Sequence, residues 1–389
     1  MENGKTRILF IITQSEWGGA QSYVATTAKE ALRRGFDIRI AAGGRDKLAN
    51  TAQESGIRYQ ELEELKRSIS PIQDIKAIKE LCRLLKEYRP DILYLHSSKA
   101  GIIGSIAGRL CRIPHIVYRI GGWSFLDPVS PIQKQIRIWS ERLTAKGKDD
   151  IIVLHPNDEQ LAKQHHIKPK HAIHCIPNGI NIEKTIASAK PSKEARDALI
   201  SIWSDATKHL SSDPSAPILM TIANFYPTKN LRSYIEAIGI VAKTYPNIRV
   251  IIAGEGEERH LLESERAKKN LNQIIALPGQ IPSASSYLIG ADLFILPSAK
   301  EGMPWALLEA MTIGTPSIAT DVGANAWMLG ENGTIIPPND PQKLAEAIID
   351  NLDHPDIAKD KALAAQKDVH MRFTEARMMD DTFRILRRQ

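Results

Sequence analysis

Short apolar runs alternate with longer stretches of mixed polarity along most of this chain. "RILFII" (7–12), "DIRIAAGG" (37–44), "DILYLH" (91–96), "HIVYRI" (115–120) and "DIIVLH" (150–155) are bounded by polar residues, as expected of strands buried on both faces. Between them the period becomes helical. In "IQDIKAIKELCRLLKEY" (72–88), Ile75, Ile78, Leu81, Leu85 and Tyr88 recur at helical spacing and Pro90 follows the end. "AQSYVATTAKEALRRG" (20–35) closes at Gly35. Strand–helix alternation of this kind predicts a parallel sheet with helices on both faces. The pattern weakens over 181–214. It restarts as strand "PILMTIAN" (217–224), helix "NLRSYIEAIGIVAKTY" (230–245), strand "IRVIIAG" (248–254), helix "RHLLESERAKK" (259–269), strand "ADLFILP" (291–297) and one more helix. The expected fold is therefore α/β, with two Rossmann-like, doubly wound domains at 1–178 and 215–370. A linker would occupy 179–214, and a basic helix at 371–389 would cross back to the first domain. Two such domains facing each other frame a central cleft, and ligands bind beyond the carboxyl ends of the strands.

A length of 389 residues, 43% hydrophobic and 25% charged, suits two soluble domains with real cores. No apolar run is long enough to span a bilayer. The five apolar residues Ile8 to Ile12 read as a first strand rather than a leader. Three cysteines, Cys82, Cys111 and Cys175, are odd in number and scattered, which points to a reducing compartment and no metal site. Charge changes the picture more. Residues 1–180 hold 28 lysines and arginines against 19 acids, a net +9, whereas the remainder is −3. A basic first half suits a phosphate-bearing or anionic-lipid partner. No zinc-finger spacing or aromatic RNA-binding signature supports nucleic acid. The helical stretch 131–146 sets Ile132, Ile136, Trp139 and Leu143 among Lys134, Arg137 and Arg142. It is either an ordinary solvated helix or one that rests on anionic lipid.

The densest chemistry lies in "SAKEGMPWALLEAMTIGTP", where seven residues separate Glu301 from Glu309. Pro304 suits a first helical turn, and Gly314 with Pro316 suits a helix end. A helix start offers free N–H groups and a positive dipole end, a natural seat for phosphate. The two carboxylates, one before the helix and one inside it, would accept from hydroxyl pairs on either side of a diphosphate. Alone, "WGGAQ" (17–21) is a tight turn or, through Gly18 and Gly19, a close approach to a ligand. "AGEGEER" (253–259) is a weak Gly-x-Gly around Gly254. "ANFYPTKN" (223–230) ends a strand and offers Lys229. His96, at a strand end, is a lone histidine. Absent are Asp-x-Asp, Gly-x-Ser-x-Gly, a Cys/His constellation, and a Gly-x-Gly-x-x-Gly after the first strand, which argues against a dinucleotide-dependent dehydrogenase.

Taken in order, "WGGAQSYVATTAKEALRRGFDIRIA", "LHSSKAGIIGSIAGRLCRIP", "GGWSF", "IPNGIN", "ANFYPTKN", "IIAGEGEERHLLE", "PSAKEGMPWALLEAMTIGTPSIATDVGANAWML" and "NGTIIPPND" resemble the family 4 retaining glycosyltransferases, which have the GT-B fold. The resemblance spans nearly the whole chain. It implies that Glu301 contacts donor-sugar hydroxyls and Glu309 the nucleotide ribose. It implies that Lys229 and the backbone N–H groups from Gly302 and Met303 through Pro304, Trp305 and Ala306 face the diphosphate. Gly18 and Gly19 would face the phosphates and transferred sugar, Gly254 the nucleotide, and Gln280 and Ile281 the base. Glu301 and Lys229 are the residues it puts nearest the reaction, with His96, Arg119, Gly121 and Trp123 on the acceptor side. Two positions depart from the pattern. Asn224 stands where the family carries a phosphate-binding arginine, leaving Arg232 or Lys300 to substitute. Gly121 stands where many members carry a histidine, leaving Arg119 or Trp123 to cover it. The implied activity is transfer of a sugar from a nucleotide sugar, UDP-linked, to a lipid-linked or oligosaccharide acceptor in envelope polysaccharide synthesis. Retention, no metal or other cofactor, and a cytoplasmic site at the inner membrane face are implied with it. The departures keep open a nucleotide-sugar binder without transfer, or a GT-B epimerase.

Overall fold

The computed structural model describes residues 5–68, 70–209 and 213–388. The chain forms two compact units, residues 1–177 joined by 378–389, and residues 178–377. The first holds a seven-stranded sheet of β1 (Arg7–Gln14), β2 (Asp37–Gly43), β3 (Arg58–Glu61), β4 (Ile92–His96), β5 (His115–Arg119), β6 (Asp150–Val153) and β7 (Ala172–Cys175). Its order is β3-β2-β1-β4-β5-β6-β7, and its pairs are parallel. The helices that connect these strands are α1 (Gly19–Arg33), α2 (Lys47–Glu54), α3 (Pro71–Tyr88), α4 (Ser98–Leu110), α5 (Pro131–Ala145) and α6 (Pro156–Gln164). The order reverses between β1 and β4, so their carboxyl ends, at Gln14 and His96, flank the switch point where doubly wound sheets take their ligands.

The second unit carries β8 (Ile218–Ile222), β9 (Arg249–Ala253), β10 (Ile275–Gly279), β11 (Leu293–Leu296), β12 (Ser317–Thr320) and β13 (Thr334–Ile336). They form a parallel sheet in the order β10-β9-β8-β11-β12-β13. Its helices are α7 (Ile182–Ser188), α8 (Ser192–Thr207), α9 (Leu231–Val241), α10 (Arg259–Lys268), α11 (Trp305–Ile313), α12 (Asn325–Leu329), α13 (Pro341–Asp353) and α14 (Pro355–Arg372). The expected linker at 179–214 needs correction. It contains α7 and α8, and α8 buries Ala195, Leu199 and Trp203 against the second unit. The Trp203 indole donates to the Ile274 carbonyl (2.8 Å), and Arg196 pairs with Asp292 (3.0 Å). Proline and serine at both ends of α8 break the pattern in sequence without breaking the fold. The last helix, α15 (Glu375–Leu386), adds Met378, Met379, Phe383 and Leu386 to the buried residues. The Phe383 ring lies 5.7 Å from that of Phe36, and Asp380 pairs with Arg34 at 2.6 Å.

One polar device is buried in the first unit. Lys148 and Glu141 are both fully buried and 3.1 Å apart. Tyr118 donates to Glu141 (3.2 Å), and the Lys148 ammonium lies 4.3 Å from the Tyr118 ring centre. Removing one partner of a buried pair leaves the other charge uncompensated. Lys148→Met is therefore expected to cost about 3–5 kcal/mol, and Lys148→Met with Glu141→Gln much less. Urea unfolding followed by circular dichroism measures both, and an unchanged midpoint for the single variant contradicts this account.

Candidate functional site

In the second unit, two loops meet at the carboxyl edge of β8 and β11. After β8 the chain turns through a short 3-10 segment, Pro227–Lys229. After β11 it runs through Ser298 to Pro304 into α11. The two loops are latched together, because the amides of Ala299 and Lys300 both donate to the Thr228 carbonyl (2.8 and 3.2 Å). This latch brings Lys229 Nζ to 2.6 Å from Glu301 Oε1. Ser298, fully buried, donates to the same oxygen at 2.6 Å. Glu301 is 9% exposed, so its carboxylate is held by a cation and a hydroxyl with little water. One of its oxygens carries both bonds, which leaves the other to accept from a ligand hydroxyl.

The helix start beside this pair is open. Helix α11 begins at Trp305 behind Pro304, with no side chain capping it. Its first N–H bond back along the chain is from Leu308 to the Pro304 carbonyl (3.3 Å). The N–H groups of Trp305, Ala306 and Leu307 thus form the donor end of the helix. Pro304 has no N–H, so it drops out of the expected run of donors. Its neighbours are fixed from behind. Asn178 donates to the Met303 carbonyl (2.7 Å), and Ala324 N–H donates to the Gly302 carbonyl (2.7 Å). Helix α11 ends as expected, with Gly314 left-handed at φ +79°.

Glu309 lies one turn inside α11. Burial pushes its carboxyl up to about 7, opposed only by a hydrogen bond with the Ser285 hydroxyl. A carboxyl so placed is half neutral near physiological pH and gains most from hydroxyl donors that favour its charged form. Gln280 is exposed and Ile281 half-buried, just past β10. Gly254 has a structural task. It sits at φ +153°, and a Cβ there would come 1.8 Å from the Ala223 carbonyl oxygen. The loop after β9 therefore presses on the loop holding Asn224, and the turn explains this glycine without any ligand.

Of the two candidates to replace the missing arginine at 224, Arg232 points elsewhere: its guanidinium is 3.8 Å from Glu265 on α10. Lys300 sits within the latched loop. Sequence reasoning missed Arg259, which donates from Nε to Glu255 (2.7 Å) and also to Glu263 (3.0 Å) and the Leu277 carbonyl (3.3 Å). It braces the Gly-x-Gly loop against β10. Its signal was the acidic spacing Glu255, Arg259, Glu263, four residues apart on each side.

In the first unit, Gly18 caps α1 in an extended conformation and Gly19 opens the helix. Three of the four expected acceptor-side residues are interior. His96 is 2% exposed and packs against Tyr94, Tyr23 and Phe10, with ring centres 4.3, 5.6 and 5.9 Å away. Burial and the nearby Arg119 hold it well below the usual histidine range, so it is a neutral ring. Arg119, also buried, lies 3.5 Å from the Tyr23 ring centre. Trp123 is fully buried, stacks on Phe125, and donates to the Asp158 carbonyl at 3.0 Å. It anchors its loop and does not face solvent. Gly121 alone is exposed, and a Cβ there would meet nothing within 4 Å. The backbone there leaves open space for a Cβ. Beside this loop, the buried His155 and Asp158 lie 3.2 Å apart. The sequence reading did not single out this pair. Among the described residues, no cluster of histidine, cysteine and acids fits a metal ion.

The Glu309 carboxyl yields a prediction with a definite sign. Its folded value, about 7, exceeds the usual carboxyl value, so the folded state holds the proton more tightly. Stability from this group is present at low pH and falls as pH rises towards 7 and above, by roughly 2–3 kcal/mol. Chemical denaturation of wild type and Glu309→Gln at pH 5 and pH 8 should show that extra loss in the wild type only. Equal losses would contradict the buried-carboxyl account.

Comparison with known proteins agrees with this geometry. Residues 18–179 match the family model "Glycosyl transferase 4-like domain", and residues 216–354 match "Glycosyl transferases group 1". A UDP-Gal:alpha-D-GlcNAc-diphosphoundecaprenol alpha-1,3-galactosyltransferase of Escherichia coli is 29% identical over 320 residues, 81% of this chain and 79% of its own. A sucrose-phosphate synthase from Thermosynechococcus elongatus has the same fold, with a TM-score of 0.82 at 19% identity over 99% of both chains. Anabaena Alr3699/HepE, solved with UDP, gives 0.80 at 18% identity over 99% of this chain and 100% of its own. Two family matches that together span most of the chain, on two parallel-sheet units with this fold, place it among the family 4 glycosyltransferases of GT-B architecture.

Proposed function

We propose that this glycosyltransferase moves a hexose from a UDP-sugar to a hydroxyl of a lipid-diphosphate-linked saccharide in envelope polysaccharide synthesis. It retains the anomeric configuration and needs no metal. The observation that carries the reading is the group of Lys229, Glu301 and Ser298 set beside the open start of α11, with Glu309 one turn along it. That layout matches a donor with sugar hydroxyls, a diphosphate and a ribose in sequence. The E. coli relative supports the rest, since its donor is UDP-Gal and its acceptor is α-D-GlcNAc-diphosphoundecaprenol.

In this reading the α11 N–H groups and the ammonium of Lys229 meet the diphosphate charge. Lys229 has three donors, so it can hold Glu301 and still reach a phosphate oxygen. Glu301 takes sugar hydroxyls and Glu309 the ribose. As the bond from the anomeric carbon to the phosphate oxygen breaks, the acceptor hydroxyl oxygen bonds to that carbon from the same face. Its proton passes to the departing phosphate. The charge that develops on the leaving group is met by fixed donors, whose loss typically costs 10²–10³-fold in rate. Among the described residues no helix is long and apolar enough to cross a membrane, and we place the protein at the cytoplasmic membrane surface, where a lipid-linked acceptor is presented. The open position at Gly121 favours a second reading, donor binding without transfer; an epimerase would instead give product with no acceptor.

Release of nucleotide from UDP-, GDP- and ADP-sugars, with and without EDTA, separates these readings. Slow, EDTA-insensitive release from a UDP-sugar, rising when a lipid-diphosphate saccharide is added, is expected. Lys229→Ala should lower the rate by roughly 10²–10³-fold. Glu309→Ala should chiefly weaken donor binding, by roughly 10-fold or more. Binding without release, even with acceptor, would favour the binder. Failure to bind any nucleotide sugar would overturn the proposal.

A further inference from the structure

The loops after β1 and β2 are fastened to each other at the carboxyl edge of the first sheet. The Ser15 hydroxyl, fully buried, donates to Asp46 Oδ2 (2.8 Å) and accepts from the Asp46 N–H (2.8 Å). The Ser15 amide donates to the Gly43 carbonyl (2.9 Å), and the Leu48 N–H donates to the Ser15 carbonyl (3.1 Å). On the other flank, the Gln21 side chain donates to the Gln14 carbonyl at 2.9 Å. Between these ties stands Trp17, half-exposed and outside the buried core. The Lys47 ammonium, at the start of α2, lies 4.9 Å from its ring centre. Lys47 is exposed and, among the described residues, pairs with no carboxylate. The first unit has two other tryptophans: Trp123 is buried, and Trp139 lies on α5. Trp17 is thus an accessible indole at the edge where a doubly wound sheet takes its ligands.

From this we infer that Trp17 and Lys47 form the subsite that seats the acceptor's sugar ring and the phosphate next to it. The inference rests on the lipid-diphosphate-linked acceptor proposed above. A pyranose ring is amphipathic, with a face of C–H groups and a rim of hydroxyls. A flat indole offers that face a large apolar partner at a low cost in side-chain entropy. The ring is already held. The Lys47 ammonium is drawn to its electron-rich face, and the fastened loops fix the backbone on both sides of it, so little order remains to be lost on binding. Lys47 has three donors and keeps them for a phosphate oxygen while it rests on the ring. An aromatic platform with an adjoining unpaired cation matches a sugar whose anomeric carbon carries phosphate. A packing role explains less, because an indole that served the core would be buried, as Trp123 is.

The test is titration of the full chain with α-D-GlcNAc-diphosphate on a short alkyl chain, followed by tryptophan fluorescence and calorimetry. UDP is titrated separately on the same samples. Saturable binding of the analogue, with a change in emission that Trp17→Ala abolishes, is expected. Trp17→Ala should weaken the analogue roughly tenfold and leave UDP affinity unchanged. Trp17→Phe, which keeps a flat ring, should recover most of the loss. Lys47→Ala should weaken the diphosphate analogue but not an alkyl GlcNAc glycoside that lacks phosphate. Analogue binding that ignores both Trp17 variants, or a fall in UDP affinity in Trp17→Phe, would overturn the subsite and leave the transferase reading standing. A wild type that binds UDP but no GlcNAc-diphosphate would overturn the proposed acceptor and the subsite with it. A wild type that binds neither would strike the transferase reading itself.

Discussion

The ion pair between Lys229 and Glu301 is the constraint on which the architecture of the candidate site depends. A carboxylate with so little access to water needs a cation, and the cation comes from a loop 72 residues earlier. The Thr228 carbonyl latch brings the two loops together, and the Ser298 hydroxyl shares the charge. With this corner fixed, α11 starts where its N–H groups project without a cap. A helix that began one residue earlier or later would turn these donors away from Lys229. Pro304 itself is extended (ψ 128°) and biases Met303 away from helical backbone, so the helix does not run back beyond it. The charge pair and the proline together specify where the helix dipole emerges.

The two kinds of departure from the family pattern differ in physical consequence. Asn224 puts a neutral side chain where the family carries a charge, next to Ala223, against whose carbonyl Gly254 packs. Gly121 removes a side chain from an open place. On the proposed reading, the first changes how much of the diphosphate charge would fall to Lys229 and the helix. The second leaves room on the side where the resemblance puts the acceptor.

Much of the fold was legible because parallel sheets demand continuous apolar strands. Strands β1, β2, β4, β5, β6, β8, β9 and β11 all lie in such runs. Strand β3 (Arg58–Glu61) and strand β13 (Thr334–Ile336) are short edge strands, half exposed, and leave no such trace. Helix α8 was hidden by the prolines and serines around it, although its buried Ala195, Leu199 and Trp203 are spaced four residues apart. At the candidate site, Glu301, Glu309 and Lys229 stood out because their order along the chain matches a known pattern. The meeting of Lys229 with Glu301 was not, since nothing local encodes a contact across 72 residues. The burial of His96, Arg119 and Trp123 was not legible, for a common reason. Each has a polar tip that suggests a surface role and a large body that packs. Here the rings of Tyr23, Tyr94 and Phe125 claim those bodies. Cys82 and Cys111 look unrelated in sequence, yet the Cys111 thiol donates to the Cys82 carbonyl at 3.8 Å.

The return of residues 378–388 to the first unit makes that unit discontinuous, with the second inserted between its parts. Synthesis runs in one direction. When Cys175 leaves the ribosome, Phe36 and Tyr23 still lack Phe383 and Thr382, their partners on the last helix. The missing piece arrives only after about 200 more residues, a delay of roughly 10–40 s at ordinary elongation rates. Through that interval the side chains that the last helix covers, Phe36 and Tyr23 among them, lack that cover, while every residue of the second unit has already been made. The nascent first unit is therefore the stage at which a chaperone has most to cover.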